Sequence, residues 1–356
     1  MGLRQRGART AGAAVRSLFS LPPNPEPRGW IAVRAGLSIG VPFGVLTLLG
    51  YERIGLQTSV GAFLALFFAG AAAAERARAL PFVGAVLLAC AGLGAALAPW
   101  PWLLTTGLVV VAVCTSAASF VFRVGPPGPV FFVLSYGLAA NVTSVVDGER
   151  LNDPLVFLAA VACGLVASYL IALAPLLRSR ERRRPVQPLS ELLPLRALGA
   201  GERELVLRIA LVAVLGCVVS LALLDTHRAY WTVGTGIAVV GLTPSRGTSV
   251  VRGLHRTVGT LIGAAIAVAI APVSAIPLLA VGVLMLLQFA IELVVVRNYA
   301  LALVFITPLV LLITAMATGA DDVMAVAWER VLDTAVGSAL AVLTAFLHRR
   351  RPVAPA

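Results

Sequence analysis

The chain has 356 residues, of which 59% are hydrophobic and 12% charged, and its mean hydropathy is +0.96. Soluble domains carry about 25% charged residues, so this composition excludes a water-soluble enzyme, a disordered chain and a disulfide scaffold, and leaves a protein that crosses the bilayer many times. The net charge of +12 comes from 28 basic residues, all of them Arg; no basic domain interleaved with aromatics accompanies it, so the excess points to membrane orientation rather than to nucleic acid.

Residues 1–30 are rich in Arg and Pro, contain no apolar stretch of signal-peptide length, and are expected to form a cytoplasmic tail. Apolar windows long enough to span follow at 31–50, 56–74, 80–98, 102–122, 130–146 and 154–177. A basic, solvated linker at 178–203, placed to touch lipid headgroups, separates them from a second set. That set lies at 204–224, 230–243, 253–271, 276–296, 299–318 and 330–348, with 230–243 short enough to be tilted or broken. Residues 349–356 are a second tail. Twelve spans with the N-terminus inside leave only Arg53, Arg150, Arg228 and Arg330 on the outer side, against 24 Arg on the inner side. The expectation is an all-α, multi-pass protein of the cell membrane with both termini cytoplasmic. Its partners are the lipid bilayer and, through Gly-rich faces, a possible second copy of the chain. Cys90, Cys114, Cys163 and Cys217 fall in separate spans, where they read as small packing residues.

The halves 31–177 and 204–348 align weakly at a shift of about 174 residues. Arg34 then matches Arg208, Thr58 matches Thr232, Asp147 matches Asp321, and the sixth span matches the twelfth. Six helices per half make the repeats parallel, about an axis near the membrane normal. Gly36, Gly40 and Gly44, and again Gly259 and Gly263, have the four-residue spacing that lets helix backbones approach closely.

Several enzyme motifs are matched only by chance. Gly36-Leu-Ser-Ile-Gly40 spells a nucleophile elbow in the middle of a helix, and Gly234-Thr-Gly brushes a dinucleotide pattern without its strand. Asp153 and the pair Asp321-Asp322 do not supply the two clustered acidic motifs that a metal–diphosphate site needs. The expectation is a protein without enzymatic activity, cofactor or metal.

The densest patterning runs from His227 to Gly263. Tyr230-Trp231 sits where interfacial aromatics belong, and Arg246, Arg252 and Arg256 follow around a polar turn, the last two on one helix face. Tyr230-Trp231, then Thr243-Pro-Ser-Arg-Gly-Thr248, then Arg256-Thr-Val-Gly-Thr-Leu-Ile-Gly263 resembles the signature of the fusaric-acid-resistance-like (FUSC) membrane proteins, relatives of bacterial aromatic-acid exporters. Arg297-Asn-Tyr, running to Thr307-Pro308, and Glu329-Arg-Val-Leu-Asp-Thr-Ala-Val-Gly337 fit two further blocks, so the resemblance covers about residues 205–347.

The resemblance implies export, or channel-like passage, of small organic anions such as aromatic carboxylates. Arg246, Arg252 and Arg256 are then substrate-binding candidates, since a guanidinium pairs bidentately with a carboxylate; the plainer reading makes them lipid-facing anchors. Tyr230 and Trp231 are candidates for stacking on an aromatic ring, against a plain anchoring role, and Asn298 joins them from the second block. Glu292, an acid within a span, and the outer pair Asp225 and His227 are candidates for proton coupling. Local pairing of Glu292 with Arg297, and of Asp333 with Arg330, is the structural alternative. A proton-driven exporter is therefore expected, with a passive anion channel and a non-transporting scaffold as rivals.

Overall fold

The computed structural model describes residue 12 and residues 15–23, 27–242, 244–319 and 322–347. The tail at 349–356, Thr243 and the Asp147–Asp321 correspondence therefore fall wholly or partly outside the described residues, as does most of the stretch before residue 15. In chain order the helices are α1 (Gly29–Leu48), α2 (Glu52–Gln57) continuing as a 3-10 segment (Thr58–Leu66), α3 (Ala73–Leu97), α4 (Pro101–Val121) and α5 (Val130–Val142). A two-residue hairpin of β1 (Val145–Val146) and β2 (Glu149–Arg150) leads into α6 (Pro154–Leu173). The second set is α7 (Ala200–Leu223), α8 (Ala229–Val240), α9 (Arg246–Ile270), α10 (Pro277–Val294), α11 (Tyr299–Thr318) and α12 (Val323–Thr344). Between the sets, the linker holds two single helical turns, Ser179–Arg182 and Leu189–Leu192. The end of the molecule that carries this linker is called the linker end below, and the opposite one the hairpin end.

Among the described residues nine helices are long and apolar enough to cross a membrane, which makes the chain a multi-pass membrane protein of the cell membrane. The expected twelve is reduced because α2 with its 3-10 extension, α5 and α8 are short. Their setting explains this. Eleven of the twelve residues of α8 are buried, and a segment walled in by protein need not satisfy the length that lipid imposes. The ninth and twelfth apolar windows, in turn, begin too late: α9 starts at Arg246 and α12 at Val323. The first two turns of α9 are polar, and on α12 the charges Asp321, Asp322, Glu329 and Arg330 bracket a short apolar turn, so a hydropathy window trims both starts away.

The long helices are turned inside out relative to those of soluble proteins. On α12 the buried stripe is Arg330, Asp333, Thr334, Gly337, Ser338 and Ala341, whereas Met324, Trp328, Leu332 and Leu343 are exposed. Small and polar residues face protein because lipid offers apolar side chains nothing to escape from, so close backbone contact and hydrogen bonds hold the helices together. Gly36 and Gly40 of α1 pack on Met285 of α10, and Gly259 and Gly263 of α9 on Ala300 and Leu303 of α11. Both small-residue faces are thus occupied within this chain. Trp30, Trp100, Trp102 and Trp328, all exposed, lie near helix termini at the two ends, as membrane-interface aromatics do.

Neighbouring helices pair in the same way in each set. α3 packs on α5 and α6, as α9 packs on α11 and α12; the 3-10 segment packs on α6 as α8 packs on α12; and α1 meets α10 as α7 meets α4. The contacts match at the level of atoms. A Cβ at Gly164 of α6 would run into the Thr58 carbonyl oxygen, and one at Gly337 of α12 into that of Thr232. The α6 C-terminus is capped by Arg76, which donates to the Ala172 carbonyl at 2.9 Å; the last turn after α12 is capped by Arg246, which donates to Ala345 at 3.1 Å.

The close approach at Gly337 sets a prediction. Gly337→Leu must push α12 off α8 and should cost about 1–3 kcal/mol or more, seen as a lowered unfolding temperature in detergent. Gly282→Ala, whose Cβ would meet nothing within 4 Å, should leave it unchanged.

Candidate functional site

The sequence candidates separate into two places. Those at the linker end are already engaged by the protein. Arg246 donates to the Ala345 and Phe346 carbonyls and lies 5.5 Å from the Phe346 ring. The Arg252 guanidinium lies over Gly241, in the space a side chain there would need. Arg256, deeper in α9 and buried, donates to the Tyr299 hydroxyl at 2.8 Å, and its Nε has no partner. The three guanidinia that the sequence groups around one mouth are thus directed to three different elements.

Asn298 caps α11 through the Leu301 N–H, and its amide donates to the carbonyls of Leu18 (2.8 Å) and Ser20 (3.1 Å). His255 bonds Ser17 Oγ at 2.8 Å, and Arg297 donates to the Pro22 carbonyl at 2.8 Å. Glu292 is paired with Arg28 at 2.7 Å, not with Arg297 as expected. Arg28 also donates from Nε to the Glu292 carbonyl, a two-point contact that Arg297, held by the tail, does not make. Ser17, Leu18, Ser20, Pro22 and Arg28 therefore tie into the linker ends of α9, α10 and α11.

At the hairpin end a cavity of about 290 Å³ opens between the end of α5, the turn before α8, the end of α11 and the first turns of α12. Three sequence candidates line it: Asp225, His227 and Trp231. Tyr230 and Trp231 are buried rather than interfacial, with ring centroids 4.6 Å apart. Tyr230 occupies the space above Gly137 of α5, where any larger residue would collide with its ring. This anchors the start of α8 and leaves Trp231 facing the cavity.

The cavity also holds residues that sequence reasoning treats as local pairs or loop charges. Arg330, 3% exposed, lies with its guanidinium 3.9 Å from the centre of the Trp231 ring, and its Nε and Nη1 have no hydrogen-bond partner. Asp333, 1% exposed, does not pair with Arg330; its ion partner is Arg228 at 3.7 Å, and neither of its oxygens accepts a hydrogen bond. Arg228 reaches Glu329 at 2.9 Å and Asp225 at 3.6 Å as well. Asp225 additionally accepts from the His227 N–H, and His227 Nδ1 is unpartnered.

Trp231 offers a cation–π contact that offsets part of the cost of burying Arg330, about 2 kcal/mol or more when desolvated. A guanidinium has five N–H donors, however, and the ring satisfies none of them as a carboxylate does. Arg330 on a stacking surface, beside an open volume, is arranged to receive a planar carboxylate. Among the described residues no group of His, Cys, Asp and Glu is placed to hold a metal ion, and the four cysteines are free thiols.

Comparison with known proteins gives a family resemblance over the second set of helices. Residues 209–344, which include α8, α9, α11 and α12, match the family model described as fusaric acid resistance protein-like. A relative of Bacillus subtilis (strain 168), the uncharacterized membrane protein YvaC, is 35% identical over 151 residues, which is 41% of this chain and 23% of that protein. The aligned stretch thus spans about a quarter of the relative's length. No solved structure matches the chain.

The linker-end ion pair gives a second prediction. Arg28→Ala strands a buried carboxylate and should cost about 3 kcal/mol in thermal unfolding, while adding Glu292→Gln should recover most of the loss. Equal destabilisation in the single and double variants would mean that the loss does not come from an unpaired Glu292 charge.

Proposed function

We propose that the chain, whose residues 209–344 match the fusaric acid resistance protein-like family, is a secondary transporter that exports small organic anions, aromatic carboxylates foremost, across the cell membrane. The observation that carries this reading is Arg330: a buried guanidinium with free donors, stacked on Trp231 and facing a cavity. A cavity of about 290 Å³ lies at the lower end of the range for small-molecule sites, roughly 300–1,000 Å³, a size for one ring with its substituents.

The recurring helix pairs and the matched contacts of Gly164 and Gly337 support two parallel six-helix repeats. The site then lies on the seam between them, because Asn141 of α5 lines the same cavity as α8, α11 and α12. The Arg excess supports a cytoplasmic linker end, so the cavity faces outward and the contacts of Ser17, Leu18, Ser20, Pro22 and Arg28 close the inner side. Arg256, buried on α9 with its Nε unpartnered, stands between the two ends and attracts an anion arriving from within. We assign the driving force to the proton gradient. His227, unpartnered at Nδ1 within the cavity, fits proton exchange better than Glu292, which Arg28 holds.

Proteoliposomes containing only this chain test the reading. Efflux of labelled hydroxybenzoate should exceed that of empty liposomes and depend on an imposed pH gradient. Arg330→Gln should lower it about tenfold or more, the loss expected when one charge-assisted carboxylate contact is removed, and Arg256→Gln should lower it too. Arg252→Gln should leave it near the wild-type rate. Full efflux in Arg330→Gln with normal membrane insertion would remove the site.

A further inference from the structure

A carboxylate on its own uses only part of the charge that lines the cavity. Asp225, Glu329 and Asp333 supply three carboxylates, against the two guanidinia of Arg228 and Arg330. Among these lining groups the carboxylates outnumber the guanidinia by one. Arg228 is already shared among all three carboxylates. Asp225 and Glu329 keep nearly half of their side chains in solvent, at 46% and 42%, and water can balance them there. Asp333 is different. It is sealed from solvent, has no hydrogen bond on either oxygen, and its nearest cation is at 3.7 Å, beyond hydrogen-bond length.

One turn away on the same stripe of α12, Arg330 also lacks partners for Nε and Nη1. Two unsatisfied buried groups of opposite charge thus line one cavity three residues apart, yet they are not within ion-pairing distance of each other. A carboxylate alone would satisfy Arg330, add a negative charge to a low-dielectric pocket and leave Asp333 bare. A ligand with a carboxylate and a protonated amine satisfies both groups and leaves the net charge as it was.

We propose that this cavity binds a zwitterion: a single-ring aromatic compound whose carboxylate pairs with Arg330, whose ammonium pairs with Asp333, and whose ring lies along the Trp231 side of the pocket. Asp333 is then the specificity-determining residue. The proposal rests on the reading of the cavity as the substrate site; it keeps the aromatic carboxylate of that reading and adds an ammonium group to it.

The test uses the full chain, purified in detergent, and titration calorimetry with three ligands of one skeleton. They are phenylalanine with both charges, hydrocinnamate without the amine, and phenethylamine without the carboxylate. Phenylalanine should bind more tightly than either by about tenfold or more, since each of the others leaves a buried charge unpaired. Asp333→Asn should abolish that preference by weakening phenylalanine to the level of hydrocinnamate without weakening hydrocinnamate itself. A residue that merely shapes the pocket would weaken both together.

The wild-type comparison stands alone if the variant fails to fold. Hydrocinnamate binding as tightly as phenylalanine, or a preference retained in Asp333→Asn, overturns the zwitterion and leaves an anion site in place. Binding of none of the three overturns the cavity as substrate site, and the zwitterion with it.

Discussion

Burying a guanidinium is the costliest thing this chain does, and much of the structure is a set of solutions to it. Arginine cannot shed its proton in a protein, so each one that enters the membrane region needs acceptors. Arg34 finds the Ala69 carbonyl, Arg76 those of Ala71 and Ala172, Arg150 those of Ala95 and Thr143, and Arg246 those of Ala345 and Phe346. Several of these carbonyls close the last turn of a helix, where they lack partners of their own and carry the negative end of the helix dipole. One contact thereby satisfies two orphaned groups and ties one helix to the end of another. Arg28 solves the same problem with Glu292, and Arg228 with three carboxylates. Arg208, fully buried, reaches the Ser249 hydroxyl and, like Arg330, leaves Nε and Nη1 without a partner. Arg330 differs in having a ring face and an open volume beside it, which is why the proposed site is placed there.

What the sequence discloses follows from which physical signal is averaged and which is not. Hydropathy integrates over a whole helix, so the long spans are legible, and the break at 178–203 with them. The same averaging hides the short elements. The window at 130–146 reads as a span, although α5 stops at Val142 with its buried face against α3 and α8. It also hides the site, because charges on the first turns of α12 moved the apparent boundary to Arg330 and turned a buried residue into a loop charge. The helix stripe of Arg330, Asp333, Thr334, Gly337 and Ser338 is visible at spacings of three and four, and would have shown the inward face had polarity been followed instead of apolarity.

Partner choice is harder still to see. Glu292 and Arg28 are 264 residues apart, and nothing local distinguishes that pair from Glu292 with Arg297. Tyr230 and Trp231 illustrate a different failure. At a span boundary aromatic residues ordinarily rest in the headgroup layer, but here a glycine on a distant helix, Gly137, leaves room for the Tyr230 ring and draws both residues inside. Of the four arginines on the sparsely charged side, Arg150 closes a hairpin, while Arg228 and Arg330 build the cavity. Residues that violate the charge rule had a local reason to be there, and that violation was the signal available.

The matched contacts of the two sets also expose a difference. With Gly164 and Gly337 crossing the same neighbours at an offset of 173 residues, Phe157 stands on α6 where Arg330 stands on α12, and Gln57 stands where Trp231 stands, one residue before the crossed threonine. Phe157 is completely buried, and Gln57 bonds Asn152 near the hairpin. The helix pairings recur, but the charged and aromatic groups around the cavity do not. If the proposed site is the substrate site, a chain with two matching sets of contacts offers one ligand position, with a stoichiometry of one.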